Sequence, residues 1–223
     1  LNNLMQCTTD ITRTTEVSDD HVSWDISASY KLNDDVNLYA RVANTFRAPS
    51  IQGRITFSDK ITTADSETVT SYETGIKSDV LDGRGRVNAS IYYFTMDDQQ
   101  LTAVGGTANT TSLLNADKTT GYGFELDTEW VLTDELNATF NFSYNKTELK
   151  DDSITIPVPD RETLHITDTT VNGRAIIDGN SLPNAPEFIS NLTLRYSKEL
   201  ADGNFYAYTD ISYRSKVNFF LYE

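Results

Sequence analysis

The sequence predicts an all-β chain, an antiparallel transmembrane β-barrel of about eight strands with long extracellular loops and short periplasmic turns. Three observations carry this. Apolar and polar residues alternate with a period of two over segments of about ten residues, as in a strand with one apolar and one polar face. The connections between these segments run short, long, short, medium, short, long, short. All five prolines (Pro49, Pro157, Pro159, Pro183 and Pro186) fall outside the segments, as a hydrogen-bonded ladder requires.

Residues 1 to 20 are polar and read as a loop. From His21, the residues Val22, Trp24, Ile26, Ala28, Tyr30 and Leu32 alternate with serines, Asp25 and Lys31. Asn33-Asp34-Asp35 turns the chain. The returning strand places Leu38, Ala40, Val42 and Phe46 on one face, with Tyr39, Arg41 and Thr45 on the other. It stops at Arg47-Ala48-Pro49, where proline removes a ladder donor.

A long polar loop covers residues 47 to 67. Thr68 to Val80 follows as a strand with Tyr72, Ile76 and Val80 opposite Glu73, Lys77 and Asp79, and Asp82-Gly83-Arg84-Gly85 turns it. Val87, Ala89, Ile91 and Tyr93 form the next apolar face. Asp97 to Lys118 is a polar excursion, with Gly105-Gly106 at the tip of an extended hairpin. Tyr122 to Trp130 and Leu136 to Asn145 make another pair around Thr133-Asp134-Glu135. The longest loop, roughly Glu148 to Pro186, precedes a last pair, Phe188 to Ser197 and Phe205 to Tyr213.

A soluble β-sandwich would alternate in the same way. Its strands, however, run about five or six residues, whereas these are long enough for a tilted bilayer crossing. Tyr30, Trp130 and Tyr196 each lie on the apolar face just before a short turn, the depth at which an interfacial girdle sits. In a barrel, Arg41, Glu73, Lys77, Glu125, Asp127, Glu129 and Arg195 would line a wet lumen.

The net charge of -15 argues against nucleic acid as a partner, since phosphates need basic counterparts. No run approaches the roughly 18 apolar residues of a membrane helix. Cys7 supports no internal disulfide and reads as a loop thiol, or as half of a pair with sequence outside this chain. Leu1 follows no leader, and Phe219 to Glu223 reads as mid-element, so the expectation is a piece of a longer barrel.

His21 and His165 lack neighbours at metal spacing, and no nucleophile has a positioned base; no metal site, cofactor or catalysis is expected. Asn-x-Ser/Thr occurs at Asn88, Asn109, Asn137, Asn141, Asn145 and Asn191, which within strands reflects two polar residues sharing a face. Gly121 and Gly123 are read as relieving curvature or leaving lumenal room. The loop acids Asp151, Asp152, Asp160, Asp168 and Asp178 could meet divalent cations bridging lipopolysaccharide, although solvated loop charge is the plainer reading. Arg47, Arg54, Arg161 and Arg174 lie in outer loops and are candidates to meet an anionic ligand.

Four stretches, in order, resemble the carboxyl-terminal half of TonB-dependent outer-membrane receptors. LYARVANTFRAPSIQGR (38–54) is similar to that family's "F-R-A-P-S" segment, and SYETGIKSDVLDGRGRVNASIYYFTMDDQQ (71–100) resembles its "Y-E-x-G-x-K" unit with the following aromatic strand. GYGFELDTEW (121–130) resembles the "G-x-E-x-E" strand, with Asp127 replacing the second glutamate. LPNAPEFISNLTLRY (182–196) resembles the approach to a late strand. The matching positions Tyr39, Phe46, Arg47, Pro49, Glu73, Gly75, Lys77, Gly123 and Glu125 are read as architecture.

The resemblance implies a 22-stranded barrel around an amino-terminal plug, in the outer membrane of a Gram-negative bacterium. Residues 1–223 would form a partial barrel domain lacking the plug and the last strands. The implied partners are outer-membrane lipid and lipopolysaccharide, a small nutrient ligand such as an iron complex, and TonB through the plug. The implied activity is capture of a scarce nutrient, foremost a ferric siderophore, and import on TonB-transmitted energy. The alternatives are a small passive pore or adhesin barrel, and a soluble secreted β-domain.

Overall fold

The computed structural model describes residues 14–53, 61–105, 110–158 and 166–223. Eight long strands form one antiparallel sheet in the order β1 (Trp24–Lys31), β2 (Val36–Arg47), β5 (Glu67–Val80), β6 (Gly85–Gly105), β7 (Thr110–Val131), β8 (Leu136–Lys150), β12 (Phe188–Leu200) and β13 (Gly203–Arg214). Each long strand pairs with the next long strand of the chain, so the sheet is a meander without crossovers. Two small sheets lie in the long connections. β3 (Ser50–Ile51) pairs with β4 (Thr63–Ala64), and β11 (Arg174–Ile176) lies between β9 (Thr155–Pro157) and β10 (Thr170–Val171).

The short turns close by local hydrogen bonds. Leu32 N donates to Val36 O at 2.9 Å, and Thr133 Oγ1 accepts from the amides of Glu135 and Leu136 at 3.2 and 3.0 Å. At the β5–β6 turn, Leu81, Asp82 and Gly83 all take left-handed φ, at 55°, 54° and 80°. Glycine does so freely, while the two preceding residues are held there by the tightness of the connection.

Register carries each face across the whole sheet. Leu38, Ile76, Ala89, Leu126 and Phe142 follow one another through cross-strand pairs on the apolar side. Arg41, Glu73, Tyr92 and Gly123 do so on the polar side. The apolar side is bare: Ile26 is 67% exposed, Ile91 56% and Ile211 58%. A continuous exposed apolar face of this size requires a non-aqueous medium or a covering partner.

Rings bound that face at both ends. Tyr122 and Trp130 on β7 are eight residues apart, as are Phe188 and Tyr196 on β12. At about 3.3 Å per residue this is about 26 Å along the strand, the scale of the apolar band in an outer-membrane wall. At the long-loop end, the ring centroids of Tyr72 and Tyr93 lie 6.5 Å apart, Tyr122 and Tyr144 6.2 Å, and Tyr144 and Phe188 5.2 Å. Tyr196 and Phe205 meet at 5.9 Å at the short-turn end.

The buried core sits in neither face of the wall. Leu101, Ala103, Ala116, Leu149, Ile156, Val158, Ile166, Ala175, Ile177, Leu221 and Tyr222 cluster beyond the long-loop end. The polar excursion expected at 97–118 is thus largely ladder, because β6 and β7 pair as far as Gly105 and Thr110 with a break at Asp98 and Asp117. Its tip residue Gly106 lies outside the described residues. The loop expected from Glu148 likewise begins later and carries β9, β10 and β11.

Candidate functional site

Two surfaces could meet a solute: the polar face of the wall and the long-loop rim above it. On the polar face, charged residues answer one another across strands. Arg41 Nε donates to Asp25 Oδ2 at 2.6 Å and stands in register with Glu73. Tyr39 Oη donates to Glu73 Oε1 at 2.5 Å, and Lys77 Nζ lies 5.5 Å from the centre of the Tyr39 ring. Arg86 Nε donates to Asp79 Oδ1 at 2.9 Å. An open recess of about 250 Å³ is lined by Tyr39, Glu73, Lys77, Ser90, Glu125 and Asp127. Such a surface can solvate and align a polar solute through paired charges and hydroxyls.

The glycines on this face do not leave open room, which corrects the expectation of lumenal room at Gly121 and Gly123. A Cβ on Gly75 would lie 2.6 Å from both the Tyr39 ring and Ala89 O, and one on Gly123 would collide with the Tyr92 ring and Tyr144 O. Gly121 is covered in the same way by Phe94. Tyr39 pairs with Gly75, Tyr92 with Gly123, and Phe94 with Gly121, so each ring lies across the strand over the glycine opposite it. This covers the bare glycine backbone and pins strand register.

Sidedness changes at the rim. Asp97 and Lys118, in register with one another, lie on the apolar side and form an ion pair at 3.2 Å. Asp98 then takes φ of 55°, and it and Asp117 drop out of the pairing. Beyond this break Gln99 Oε1 accepts from Thr119 Oγ1, and Thr119 shares its side with Gly121 and Gly123. The apolar residues Leu101, Ala103 and Ala116 thereby turn toward the polar-face side and build the outer core. Beside them, Leu101, Ile156, Leu182, Pro183, Phe219 and Phe220 border a recess of about 360 Å³.

Asp151 locks this outer unit. Its carboxylate, 6% exposed, accepts from the amides of Asp117 at 3.0 Å, Ser153 at 3.0 Å and Ile154 at 3.1 Å, and from Ser153 Oγ at 2.6 Å. Burial alone would push its carboxyl up, but the hydrogen bonds from Ser153, Asp117 and Ile154 outweigh it and hold the group below its ordinary value. Asp178 Oδ1 accepts from Asp151 N at 2.8 Å, and Asp168 Oδ2 accepts from Asn180 Nδ2 at 2.8 Å and Glu223 N at 2.9 Å. Three acids read as solvated loop charge are therefore backbone ties. No group of three or more potential metal ligands occurs among the described residues.

Of the four candidate arginines, Arg54 and Arg161 lie outside the described residues. Arg47, with a side chain 61% exposed, has Nη1 3.9 Å from Glu67 Oε1. Arg174 Nε donates to Thr155 Oγ1 at 2.8 Å and so ties β11 to β9. Phe46 sits at the rim on the apolar side, stacked on His21 with centroids 5.3 Å apart. Pro49 directly follows Ala48, whose carbonyl is engaged by a residue that sequence reasoning missed, Gln100. Its hydrogen bonds to residues 48–67 span separations of 33 to 52 residues, and no local pattern announces them.

Residues 6–221 match the family described as "TonB dependent receptor-like, beta-barrel". A search of curated proteins by sequence finds no match. Among solved structures, the chain is similar to the ferric yersiniabactin uptake receptor FyuA from Yersinia pestis, at 20% identity and a TM-score of 0.68, covering 91% of this chain and 27% of that one. It is similar to the alcaligin outer-membrane receptor FauA from Bordetella pertussis at 19% identity and 0.53, covering 86% and 29%. The ferric preacinetobactin receptor BauA from Acinetobacter baumannii is similar at 17% identity and 0.58, covering 87% and 26%. The chain therefore spans between a quarter and a third of the length of these structures.

Proposed function

The chain belongs to the TonB-dependent receptor-like β-barrel family, and on that premise we propose that it is part of the wall of a nutrient receptor in the outer membrane of a Gram-negative bacterium. The full receptor captures a scarce nutrient, foremost a ferric siderophore, and imports it on energy delivered by TonB to a plug outside residues 1–223. The observation that carries this is the two-faced sheet: a bare apolar face bounded by rings, against a polar face of paired charges. Lipid and lipopolysaccharide cover the first face. The second lines the route of the solute, with Arg47, Arg54, Arg161 and Arg174 offered to an anionic complex at the outer loops. The architectural positions Tyr39, Phe46, Pro49, Glu73, Gly75, Lys77, Gly123 and Glu125 keep wall and rim in register.

The alternative of a small self-closing pore or adhesin fits the sheet less well, because β1 and β13 are opposite edges and do not pair with each other. The test deletes the full gene and measures growth under iron limitation and uptake of ⁵⁵Fe from hydroxamate, catecholate and phenolate siderophores. Loss of uptake of at least one complex, restored by the full gene, is the expected result. Unchanged ferric uptake, with expression indifferent to iron, refutes the iron reading.

A further inference from the structure

The strand end at Arg47-Ala48-Pro49 poses a hydrogen-bonding problem. Pro49 has no N–H, so the β2 ladder cannot continue, and the chain leaves for a loop that returns at Asp65. The carbonyls on both sides of this departure need donors from elsewhere. Gln100, on the outward extension of β6 and only 8% exposed, supplies them. Its Nε2 donates to Ala48 O at 2.7 Å and to Asp65 O at 2.9 Å, one hydrogen to each end of the loop. Its Oε1 accepts from Ser50 Oγ at 2.6 Å, and its backbone N donates to Glu67 Oε2 at 2.7 Å.

The cross-strand partner of Gln100 is Asn115. It completes the junction, donating from Nδ2 to Asp65 O at 3.0 Å and accepting from Asp65 N at 2.8 Å. Glu67, bonded to Gln100 through one carboxylate oxygen, faces Arg47 through the other at 3.9 Å. Closure continues outward through the Ser50–Ala64 and Ile51–Thr63 pairs and through Gln52 N to Thr62 O at 2.9 Å.

We propose that Gln100 is a positioning residue for ligand capture, a clamp that fixes both ends of the 48–66 loop and the Arg47–Glu67 pair at the barrel rim. Only a primary amide fits this role. It carries two donors in one plane for two carbonyls and one acceptor for a hydroxyl, whereas glutamate lacks the donors and leucine lacks all three. Ala48 O and Ser50 Oγ, which flank Pro49, are the mating half of the clamp. A loop held at both ends has less conformational freedom to lose on binding. This role in capture rests on the receptor reading proposed above; the clamp itself does not.

The test uses the full-length receptor in a Cys7→Ser background, comparing Gln100, Gln100→Leu and Gln100→Glu. Loss of these buried hydrogen bonds is expected to raise hydrogen exchange at residues 50–53 and 61–66 by about tenfold in both variants. Exchange in β5, β7 and β8, and heat-modifiable gel mobility, are expected to stay unchanged. A disulfide from Ser50→Cys with Ala64→Cys, placed on register partners, should restore slow exchange in Gln100→Leu.

On the siderophore panel used above, the clamp predicts a KM for ⁵⁵Fe uptake raised about fivefold or more at unchanged maximal rate, and restored by the same disulfide. Unchanged loop exchange, or a rise spread through the wall strands, overturns the clamp. Local loosening with an unchanged KM overturns the positioning role. Should the unsubstituted receptor import none of the complexes, the receptor reading falls for that ligand class, while the exchange result still decides the clamp.

Discussion

Asp151 shows how one carboxylate can organise a loop. Four donors converge on it, three of them backbone amides from both sides of the β7–β8 rim. Because the folded carboxyl is held below its ordinary value, its stabilisation is fully present above the unfolded pKa of about 4 and is lost as pH falls through the lower folded value. Exchange of amides 151–158 and 166–180, corrected for intrinsic pH dependence, should therefore accelerate below about pH 4. Asp151→Asn should show faster exchange at neutral pH and a flatter acid response. An acid response equal in both would remove Asp151 as the titrating group. Asp151 was visible in the sequence only as one of several loop acids; its burial depends on the outer core folding around it.

At the level of strands, the sequence was most informative where a single period persists. All eight long strands follow from alternation, since each has one apolar face and one polar face. Their lengths were less legible for a physical reason. The left-handed turn at Asp98 exchanges the two sides of the β6–β7 hairpin, so Leu101 and Ala103 keep the odd-numbered phase of Val87, Ala89 and Ile91 yet lie on the opposite side of the ladder. Strands of two or three residues, such as β3 and β9, are shorter than any periodic window and owe their existence to tertiary closure. Gly123 was readable as a special position, but the ring filling it comes from Tyr92 on another strand. The face assignment itself can be tested on one strand of the full receptor. Ile26→Arg, on the apolar face, should destabilise by about 2–4 kcal/mol near the membrane midplane. Ser27→Arg, one residue away and across from Arg41 on the polar face, should cost much less. Equal losses for the two in denaturant titrations from lipid would contradict the sidedness.

The whole sheet has two edges that hydrogen bonds inside it do not satisfy. Among the described residues, β1 pairs only with β2, and β13 only with β12, leaving one row of backbone donors and acceptors on each strand without a ladder partner there. In lipid such edges are untenable, since every backbone polar group there must be paired within protein. A barrel wall therefore needs further strands against β1 and β13, or a direct join between them. Those two solutions separate the receptor reading from the small-barrel reading. If further strands are required, residues 1–223 expressed alone and refolded into detergent should give no compact heat-modifiable monomer, and should associate through their edges or stay protease-sensitive. The full receptor under the same conditions should migrate as a folded, heat-modifiable species. A trypsin-resistant monomer formed by residues 1–223, with β1 cross-linked to β13 through engineered cysteines, would show direct closure. That outcome would favour the passive pore or adhesin over the receptor wall.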